Sequence, residues 1–424
     1  MAGLERLKGI VGQLKTTLTG IDLSGKAASN MVSLEETLAN GVKEGKVPHV
    51  VVFATNTDGT FKYKHAVGKS HYPDEEPIKE DAVFLLASQT KLLTTIAALQ
   101  IVDKGLFGLD DDVSEKLPEL GGQKIIEGFG EDDKPILVDR KNAITLRHLL
   151  THSAGSTYDS AHPLLIKLRQ QQGHGPNTGT TVHERFAYPL IYDPGTSWSY
   201  SASIDWAGKL VERLTDSTLE EYMQKNMWEP LGIKNISFWP YENPELKDKV
   251  PGLTTRTPEG KLVPFNEPFL NTGSKDCFGG HGAYAAMGDF LKVQHSILAN
   301  DGKLLKPQTV DLMFQPQLSP ESAEALEKFM KHSPMAAMII GEFNPDVECN
   351  WGLGGILFMQ DDVGKRKKGT LSWGGMSNPF WLIDREAGLA LTFGTQVLPP
   401  GDKPTEEMIS AVELAVYEKA GVKL

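Results

Sequence analysis

The feature of this sequence that most restricts its fold is a strand-like run that leads directly into a long apolar helix. Residues 83–86 predict the strand, and the apolar residues 92–99, followed by Gly105, predict a buried helix. Ser88 and Lys91 lie where this helix begins, and their spacing of three places both side chains on one helix face. A serine hydroxyl needs a neighbouring base to act as a nucleophile, and a lysine can serve when burial and the helix dipole favour its neutral form. Taken alone, Ser-x-x-Lys favours a helix-capping serine beside a solvated lysine, so other motifs have to decide.

Composition and charge exclude several classes of partner. The formal net charge of −12 argues against binding to nucleic acid, and no apolar run reaches membrane-spanning length. Two cysteines, Cys277 and Cys349, are too few for a disulfide framework, and there is no recognisable secretory signal. We therefore predict a cytoplasmic protein with free thiols. We predict no metal and no cofactor, because His148 and His152, although spaced like ligands on a helix, lack an accompanying carboxylate motif.

Strand patterns lie near both ends of the chain, and helical patterns lie between them. Early strands are predicted at residues 49–54 and 61–67, joined by a turn in which Asp58-Gly59 supplies the positive φ angles, and late strands at 353–358, 369–373, 380–383 and 389–393. The predicted fold class is α/β (α+β), with a mostly antiparallel sheet built from both chain ends, flanked by helices, and a mainly helical inserted domain. We expect an amphipathic helix at 1–24, an α/β domain at 25–87 and 345–424, and a mainly helical domain at 88–344. The active site is expected between the two domains.

Three further motifs follow the serine segment in a fixed order. Residues 144–155 form the first, residues 193–202 deliver Tyr200 just before a helix, and residues 371–376 form a strand that ends in glycines. This order resembles the serine β-lactamase-like family. Within it, the chain is most similar to the family VIII esterases and to fungal lovastatin-type side-chain acyltransferases, on the segments 91–96, 205–213, 277–280 and 307–316.

The resemblance implies a β-lactamase/transpeptidase-like fold and a set of catalytic roles. Ser88 would be the acylated nucleophile, with Lys91 and Tyr200 as the proton-transfer pair. The backbone N–H groups of Ser88 and Met376 would form the oxyanion hole. Whether Lys91 or Tyr200 takes the serine proton is left open by the sequence.

Two departures from the family pattern bear on the substrate. The chain has Trp373-Gly374-Gly375 where β-lactamases and penicillin-binding proteins carry Lys-Thr-Gly, so a cation that would hold a substrate carboxylate is missing. It also has Ser201-Ala202 after Tyr200, where many relatives have an asparagine two residues after the tyrosine. Both departures favour an ester or thioester with an apolar acid portion. We expect Trp373, Gly374 and Gly375 to contact the substrate, with the indole as a hydrophobic wall.

The sequence therefore predicts a serine esterase or acyltransferase that moves an acyl group from an ester or thioester to a small-molecule alcohol or to water, in specialised metabolism. The alternatives are a β-lactamase or D-peptidase-type hydrolase, and a catalytically silent ligand-binding relative. The basic run 365–368 precedes the Trp373 strand, and it suggests the further hypothesis of an acyl-carrier partner that delivers the acyl group. A solvated hairpin tip is the simpler interpretation of that run.

Overall fold

The computed structural model describes residues 33–341 and 343–424, so the helix predicted at 1–24 lies outside the described residues. The strands are β1 His49–Asn56, β2 Lys62–Gly68, β3 Val83–Leu85, β4 Ile125–Phe129, β5 Pro135–Val138, β6 Ile236–Ser237, β7 Thr254–Arg256, β8 Leu262–Pro264, β9 Tyr284–Ala286, β10 Cys349–Trp351, β11 Ile356–Phe358, β12 Leu371–Gly374, β13 Phe380–Asp384, β14 Leu389–Gly394 and β15 Val397–Leu398. The helices are α1 Leu34–Lys43, α2 Thr90–Asp103, α3 Pro118–Gly121, α4 Leu146–Leu150, α5 Pro163–Gln171, α6 Val182–Phe186, α7 Ser203–Thr215, α8 Leu219–Met223, α9 Glu229–Leu231, α10 Met287–Ala299, α11 Pro307–Met313, α12 Pro320–His332, α13 Ala336–Ile340 and α14 Lys403–Lys419.

A seven-stranded sheet joins the two ends of the chain. Its order is β10-β11-β12-β13-β14-β1-β2, and every neighbouring pair is antiparallel. β1 lies between β14 and β2, where Val52 pairs with Phe393 on one side and with His65 on the other. In the turn between β1 and β2 only Gly59 has a positive φ, of 71°, so the prediction of positive angles at both Asp58 and Gly59 was wrong for the aspartate. The predicted fold class is confirmed by this sheet and its flanking helices.

The two faces of β1 contribute to two different parts of the core, as alternation along a strand requires. Val50 and Val52 pack with Leu38 of α1 and Val412 of α14, all of them buried. Val51 points to the opposite face and belongs to the large core cluster that α2 and α10 also enter. The helix α1 begins at a capping box in which the Ser33 side chain accepts the N–H of Glu36 and the Glu36 carboxylate accepts the N–H of Ser33.

The region between the two halves of the sheet is mainly helical, but it also contains short strands, of which the sequence patterns indicated only β3. β3, β9 and β6 form one small sheet in that order, β4 and β5 form a hairpin, and β7 and β8 form a second three-stranded sheet with β15. β3 pairs antiparallel with β9, which fixes the segment just before Ser88. The predicted domain boundaries at 87, 88, 344 and 345 stay predictions.

The basic run 365–368 is not a solvated cluster of four cations. Arg366 is 4% exposed, and its Nη2 donates a hydrogen bond of 2.8 Å to Oε2 of Glu413, which is 1% exposed. Lys367 lies 3.6 Å from the carboxylate of Asp361, and of the four residues only Lys368 is exposed. The expectation that the whole run forms a hairpin tip or a docking surface was therefore wrong for Arg366, because an apolar core with a buried carboxylate surrounds it.

Glu413→Gln is expected to lower the free energy of unfolding by about 3 kcal/mol, because the buried guanidinium of Arg366 loses the carboxylate with which it is paired. Chemical denaturation with urea measures the loss. Glu418→Gln on the exposed side of the same helix, α14, is the matched control and should change stability by less than about 0.5 kcal/mol. Equal stability of the two variants would contradict a structural role for this ion pair.

Candidate active site

Ser88 lies at a tight junction between β3 and α2. A short 3-10 turn, Ala87–Gln89, connects the strand to the helix, and Ala87 has the unusual φ of 44° for a residue other than glycine. Backbone strain of this kind is held only where the surroundings fix it, and here β9 pairs with β3 while Ala87 and Gln89 are buried. Ser88 itself is partly exposed, unlike these two neighbours. The junction therefore places the Ser88 side chain at the edge of the buried core.

The ammonium of Lys91 is buried next to the serine hydroxyl. Nζ lies 3.2 Å from Oγ of Ser88, 2.8 Å from the carbonyl oxygen of Gly280 and 3.4 Å from the hydroxyl of Tyr158. Lys91 is 1% exposed, so its charge is removed from bulk water. The structure thus brings Ser88 and Lys91 into the arrangement that their spacing predicts, and it excludes the solvated lysine of the simpler interpretation.

Tyr200 is the third predicted catalytic residue, and its ring lies next to the ammonium of Lys91. Nζ of Lys91 is 4.7 Å from the centroid of its ring. The Tyr200 hydroxyl accepts a hydrogen bond of 3.1 Å from the indole Nε1 of Trp373 on β12. Trp373 is 2% exposed, so in this structure its ring supports the phenol of Tyr200 and offers little open surface to a substrate. Its predicted contact with substrate stays a prediction.

Tyr158 is a residue of this site that the sequence analysis missed. It lies three residues after the predicted motif 144–155, its hydroxyl is within 3.4 Å of Nζ of Lys91, and its ring centroid is 5.8 Å from that of Tyr200. Burial first, and then the neighbouring Tyr200 and Asp205, raise the pKa of the Tyr158 phenol well above its ordinary value. Its position three residues after the motif 144–155 was the available signal, but nothing in the local pattern shows that the loop folds back over Lys91.

The loop after β12 approaches the segment that carries Ser88. A Cβ atom on Gly375 would lie 2.4 Å from the carbonyl oxygen of Leu86, so only glycine fits against that backbone. The Gly375 N–H donates to Pro379, and the Ser377 hydroxyl donates to the carbonyl of Leu85 at 3.4 Å. Met376 lies between these two anchored residues, with its side chain 41% exposed. The loop is thereby held beside the serine junction, and the oxyanion role of the N–H groups of Ser88 and Met376 stays a prediction.

Gly375→Ala is expected to lower kcat for ester turnover by about 10²-fold, because the added methyl group pushes the Met376 N–H away from the serine junction. Steady-state kinetics with a chromogenic ester measures the loss. Gly128→Ala is the matched control, since nothing lies within 4 Å of a Cβ at that position, and it should keep its activity. Full activity of Gly375→Ala would contradict the close approach.

His152 belongs to the packing behind Tyr200. Its ring lies 4.7 Å from that of Tyr200, and its Nδ1 is 3.3 Å from the hydroxyls of Ser201 and Ser203. Burial first, and then the charge of Lys91, lower the pKa of His152 well below its ordinary value, so the ring is neutral. Within residues 33–341 and 343–424, no group of three or more His, Cys, Asp or Glu side chains is arranged to hold a metal ion.

An aromatic groove of about 600 Å³ includes Leu85, three residues before Ser88. Its walls carry six aromatic side chains, Phe238, Trp239, Tyr241, Phe265, Phe269 and Tyr284. Charged and polar side chains, among them Glu242, Lys247 and Glu267, share the lining, so the apolar binding surface of the groove is confined largely to the aromatic rings. The groove is therefore a candidate for the apolar part of a substrate.

Comparison with known proteins gives consistent results over nearly the whole chain. A family model described as Beta-lactamase matches residues 34–414. The monacolin J acid methylbutanoyltransferase of Aspergillus terreus is 38% identical over 400 residues, which cover 92% of this chain and 96% of that protein. The lovastatin esterase of Penicillium rubens is 39% identical over 374 residues, covering 87% of this chain and 94% of that protein. The unliganded structure of simvastatin synthase (LovD) from Aspergillus terreus has a TM-score of 0.86 at 37% identity, covering 93% of this chain and 99% of that one.

Proposed function

This chain belongs to the beta-lactamase family, and we propose that it is a serine esterase or acyltransferase that works through an acyl-Ser88 intermediate. The resemblance inferred from the motifs is confirmed, as is the β-lactamase/transpeptidase-like fold. The observation that carries the proposal is the distance of 3.2 Å between Nζ of a buried Lys91 and Oγ of Ser88. A nucleophile and a base within hydrogen-bond reach are the requirement for covalent catalysis by serine.

The proposed reaction has two balanced half-reactions. In the first, Oγ of Ser88 attacks the acyl carbonyl, its proton passes to the Lys91–Tyr200 pair, and the leaving alcohol or thiol takes that proton. In the second, an alcohol or water attacks the acyl-serine carbonyl, gives its proton to the same pair, and Ser88 recovers the proton as its ester bond breaks. The N–H groups of Ser88 and Met376 are proposed to stabilise the oxyanion of each tetrahedral intermediate, and such donors typically contribute about 3 kcal/mol each.

The proposed substrates are esters or thioesters of apolar acids, and the proposed acceptor is a small-molecule alcohol or water. Trp373 replaces the lysine that would bind a carboxylate, and the aromatic rings of the groove beside Leu85 offer contact surface for an apolar group. The names of the relatives, a methylbutanoyltransferase and a lovastatin esterase, support both kinds of acceptor and a place in specialised metabolism. These observations favour the proposal over a β-lactamase or D-peptidase. Because the named relatives are enzymes, they also weigh against a catalytically silent ligand-binding protein.

We also propose that the protein is cytoplasmic. Cys277 and Cys349 are both buried free thiols, which supports a reducing, cytoplasmic location. Among the described residues, no helix has the length and apolar character needed to cross a bilayer.

An acyl-carrier protein as the donor is retained as a hypothesis. Its docking surface would have to use Lys368 and other groups, because Arg366 is buried.

Incubation with a chromogenic short-chain ester, followed by intact-protein mass spectrometry, tests the proposal. We expect turnover and an acyl adduct that peptide mapping assigns to Ser88. Adding a panel of alcohols then separates transfer from hydrolysis, because an acyltransferase forms the new ester at the expense of free acid. Absence of both turnover and adduct across acyl chain lengths would overturn the proposed function, and rapid opening of a cephalosporin reporter would favour the β-lactamase alternative.

A further inference from the structure

The buried ammonium of Lys91 has no carboxylate as a direct partner. Its polar contacts in the described part of the chain are Ser88, Gly280 and Tyr158, which are all uncharged, together with the ring face of Tyr200. Removing a lone ammonium from water costs several kcal/mol, and the charge is kept only if another charge compensates it. A compensating anion must therefore lie beyond the atoms that Lys91 contacts.

Asp205 is placed to be that anion. It lies in the first turn of α7, five residues after Tyr200, and it is 0% exposed. Its Oδ1 accepts the N–H of Gly280 at 2.9 Å, and the carbonyl of the same glycine accepts the hydrogen bond from Lys91. A Cβ on Gly280 would lie 2.2 Å from Oδ2 of Asp205, so the carboxylate packs directly on this glycine. Lys91 and Asp205 are therefore separated by a single residue.

Two basic groups also face Asp205, and neither replaces Lys91. The ring of His281 has its Nδ1 3.6 Å from Oδ1, but burial first, and then Lys91 and Arg185, lower the pKa of His281 well below its ordinary value, so it is neutral. Arg185 donates to Nε2 of His281 and to the carbonyls of Gly179 and Leu270, away from the carboxylate. The remaining ionisable groups that sense Asp205 are two phenols, Tyr158 and Tyr188.

The charge of Lys91 is also felt by the carboxyl group. Burial raises the pKa of Asp205 to about 6, and Lys91 is the largest influence that opposes this rise, followed by the Gly280 N–H and Arg185. Because electrostatic coupling is reciprocal, an ammonium that favours the carboxylate is itself favoured by it. The Oδ2 atom is buried without a hydrogen-bond partner among the described residues, which is costly for a residue whose only purpose is packing.

We propose that Asp205 is a positioning residue that acts through Gly280 to compensate the charge of Lys91 and to hold its Nζ in reach of Ser88. The proposal rests on the proposed function, since it concerns the protonation of the same site. Asp205, a buried residue that does not contact the substrate, would thereby control the pH at which Ser88 is acylated.

The test removes the charge of Asp205 but keeps the shape of its side chain. In Asp205→Asn the amide oxygen still accepts the Gly280 N–H, while the site loses the negative charge that compensates Lys91. We expect the pH profile of the single-turnover acylation rate, followed by mass spectrometry with the chromogenic ester, to move to lower pH by about one unit. Glu212→Gln is the matched control, because this carboxylate lies on the same helix but pairs with Lys209, and its profile should not move. An unmoved profile in a folded Asp205→Asn variant would overturn the proposal.

A second measurement does not depend on catalysis or on the folding of Asp205→Asn. In Lys91→Met the carboxyl group of Asp205 loses its cation, so its pKa rises further and it stays protonated above pH 6. The folded state then binds a proton that the unfolded state does not, so the free energy of unfolding should fall from pH 6 to pH 8 more steeply than in the unaltered protein. Lys261→Met at an exposed site is the control. Identical slopes in Lys91→Met and the unaltered protein would overturn the coupling, even if Ser88 is acylated as proposed.

Discussion

Ser88→Ala is expected to lower ester turnover by a factor of about 10⁴ to 10⁶ and to abolish the covalent acyl adduct. The reason is that Ser88 supplies the aliphatic hydroxyl that is hydrogen-bonded to Lys91, whereas the other hydroxyl in contact with Lys91 is the phenol of Tyr158. The variant should fold normally, because alanine is tolerated in a 3-10 turn and Lys91 keeps its hydrogen bonds to Gly280 and Tyr158. Initial-rate kinetics and intact mass, measured on the same preparation, check both parts of the expectation.

Ser160→Ala is the matched control for this substitution. Ser160 is exposed, and its hydroxyl accepts only a hydrogen bond of 3.3 Å from the amide of Asn177, so its loss should leave turnover within about twofold of the unaltered protein. If Ser88→Ala kept full turnover while Ser160→Ala behaved as expected, acyl-enzyme catalysis at Ser88 would have to be abandoned. An adduct on another residue of Ser88→Ala would lead to the same conclusion.

The parts of this protein that could be predicted from sequence are those that local periodicity and spacing determine. The helix that follows Ser88 is buried along almost its whole length, which the apolar run 92–99 indicates directly. The same holds for β13 and β14, whose predicted bounds differ from the observed ones by one residue at one end. The spacing of Ser88 and Lys91 is set by a single helical turn, and no tertiary information is needed to place their side chains together.

The parts that could not be predicted depend on contacts between distant segments. Tyr158 reaches Lys91 only because its loop packs over α2, and Asp205 reaches it only through Gly280, which is 75 residues later in the chain. The local sequence places Arg366 in a solvated basic run, but its carboxylate partner lies 47 residues later in the chain, and the pair is buried. In each case the residue type is ordinary for its local pattern, and its importance comes from a partner that the pattern does not show.

Tyr200→Phe is expected to lower kcat for ester turnover by about 10² to 10⁴, the range that general acid–base groups contribute. The substitution removes the hydroxyl of the proposed proton-transfer pair but keeps the ring that Lys91 faces. It also leaves the indole N–H of Trp373 without its acceptor, so a loss of stability of about 1–3 kcal/mol accompanies the loss of rate. Thermal denaturation, measured beside the kinetics, separates the two effects.

Tyr158→Phe and Tyr192→Phe complete the comparison, because the hydroxyls of these two tyrosines have partners different from that of Tyr200. The Tyr158 hydroxyl is 3.4 Å from Nζ of Lys91, at the limit of a hydrogen bond, so its loss should lower kcat by less than about tenfold. The Tyr192 hydroxyl donates to the carbonyl of His152 and should affect stability alone. A larger loss of kcat in Tyr158→Phe than in Tyr200→Phe would transfer the proton-transfer role to Tyr158, because Lys91 would then pass its proton to the phenol it contacts directly. Equal, small losses in both would leave Lys91 as the sole base, with the two phenols serving to exclude water from its buried charge.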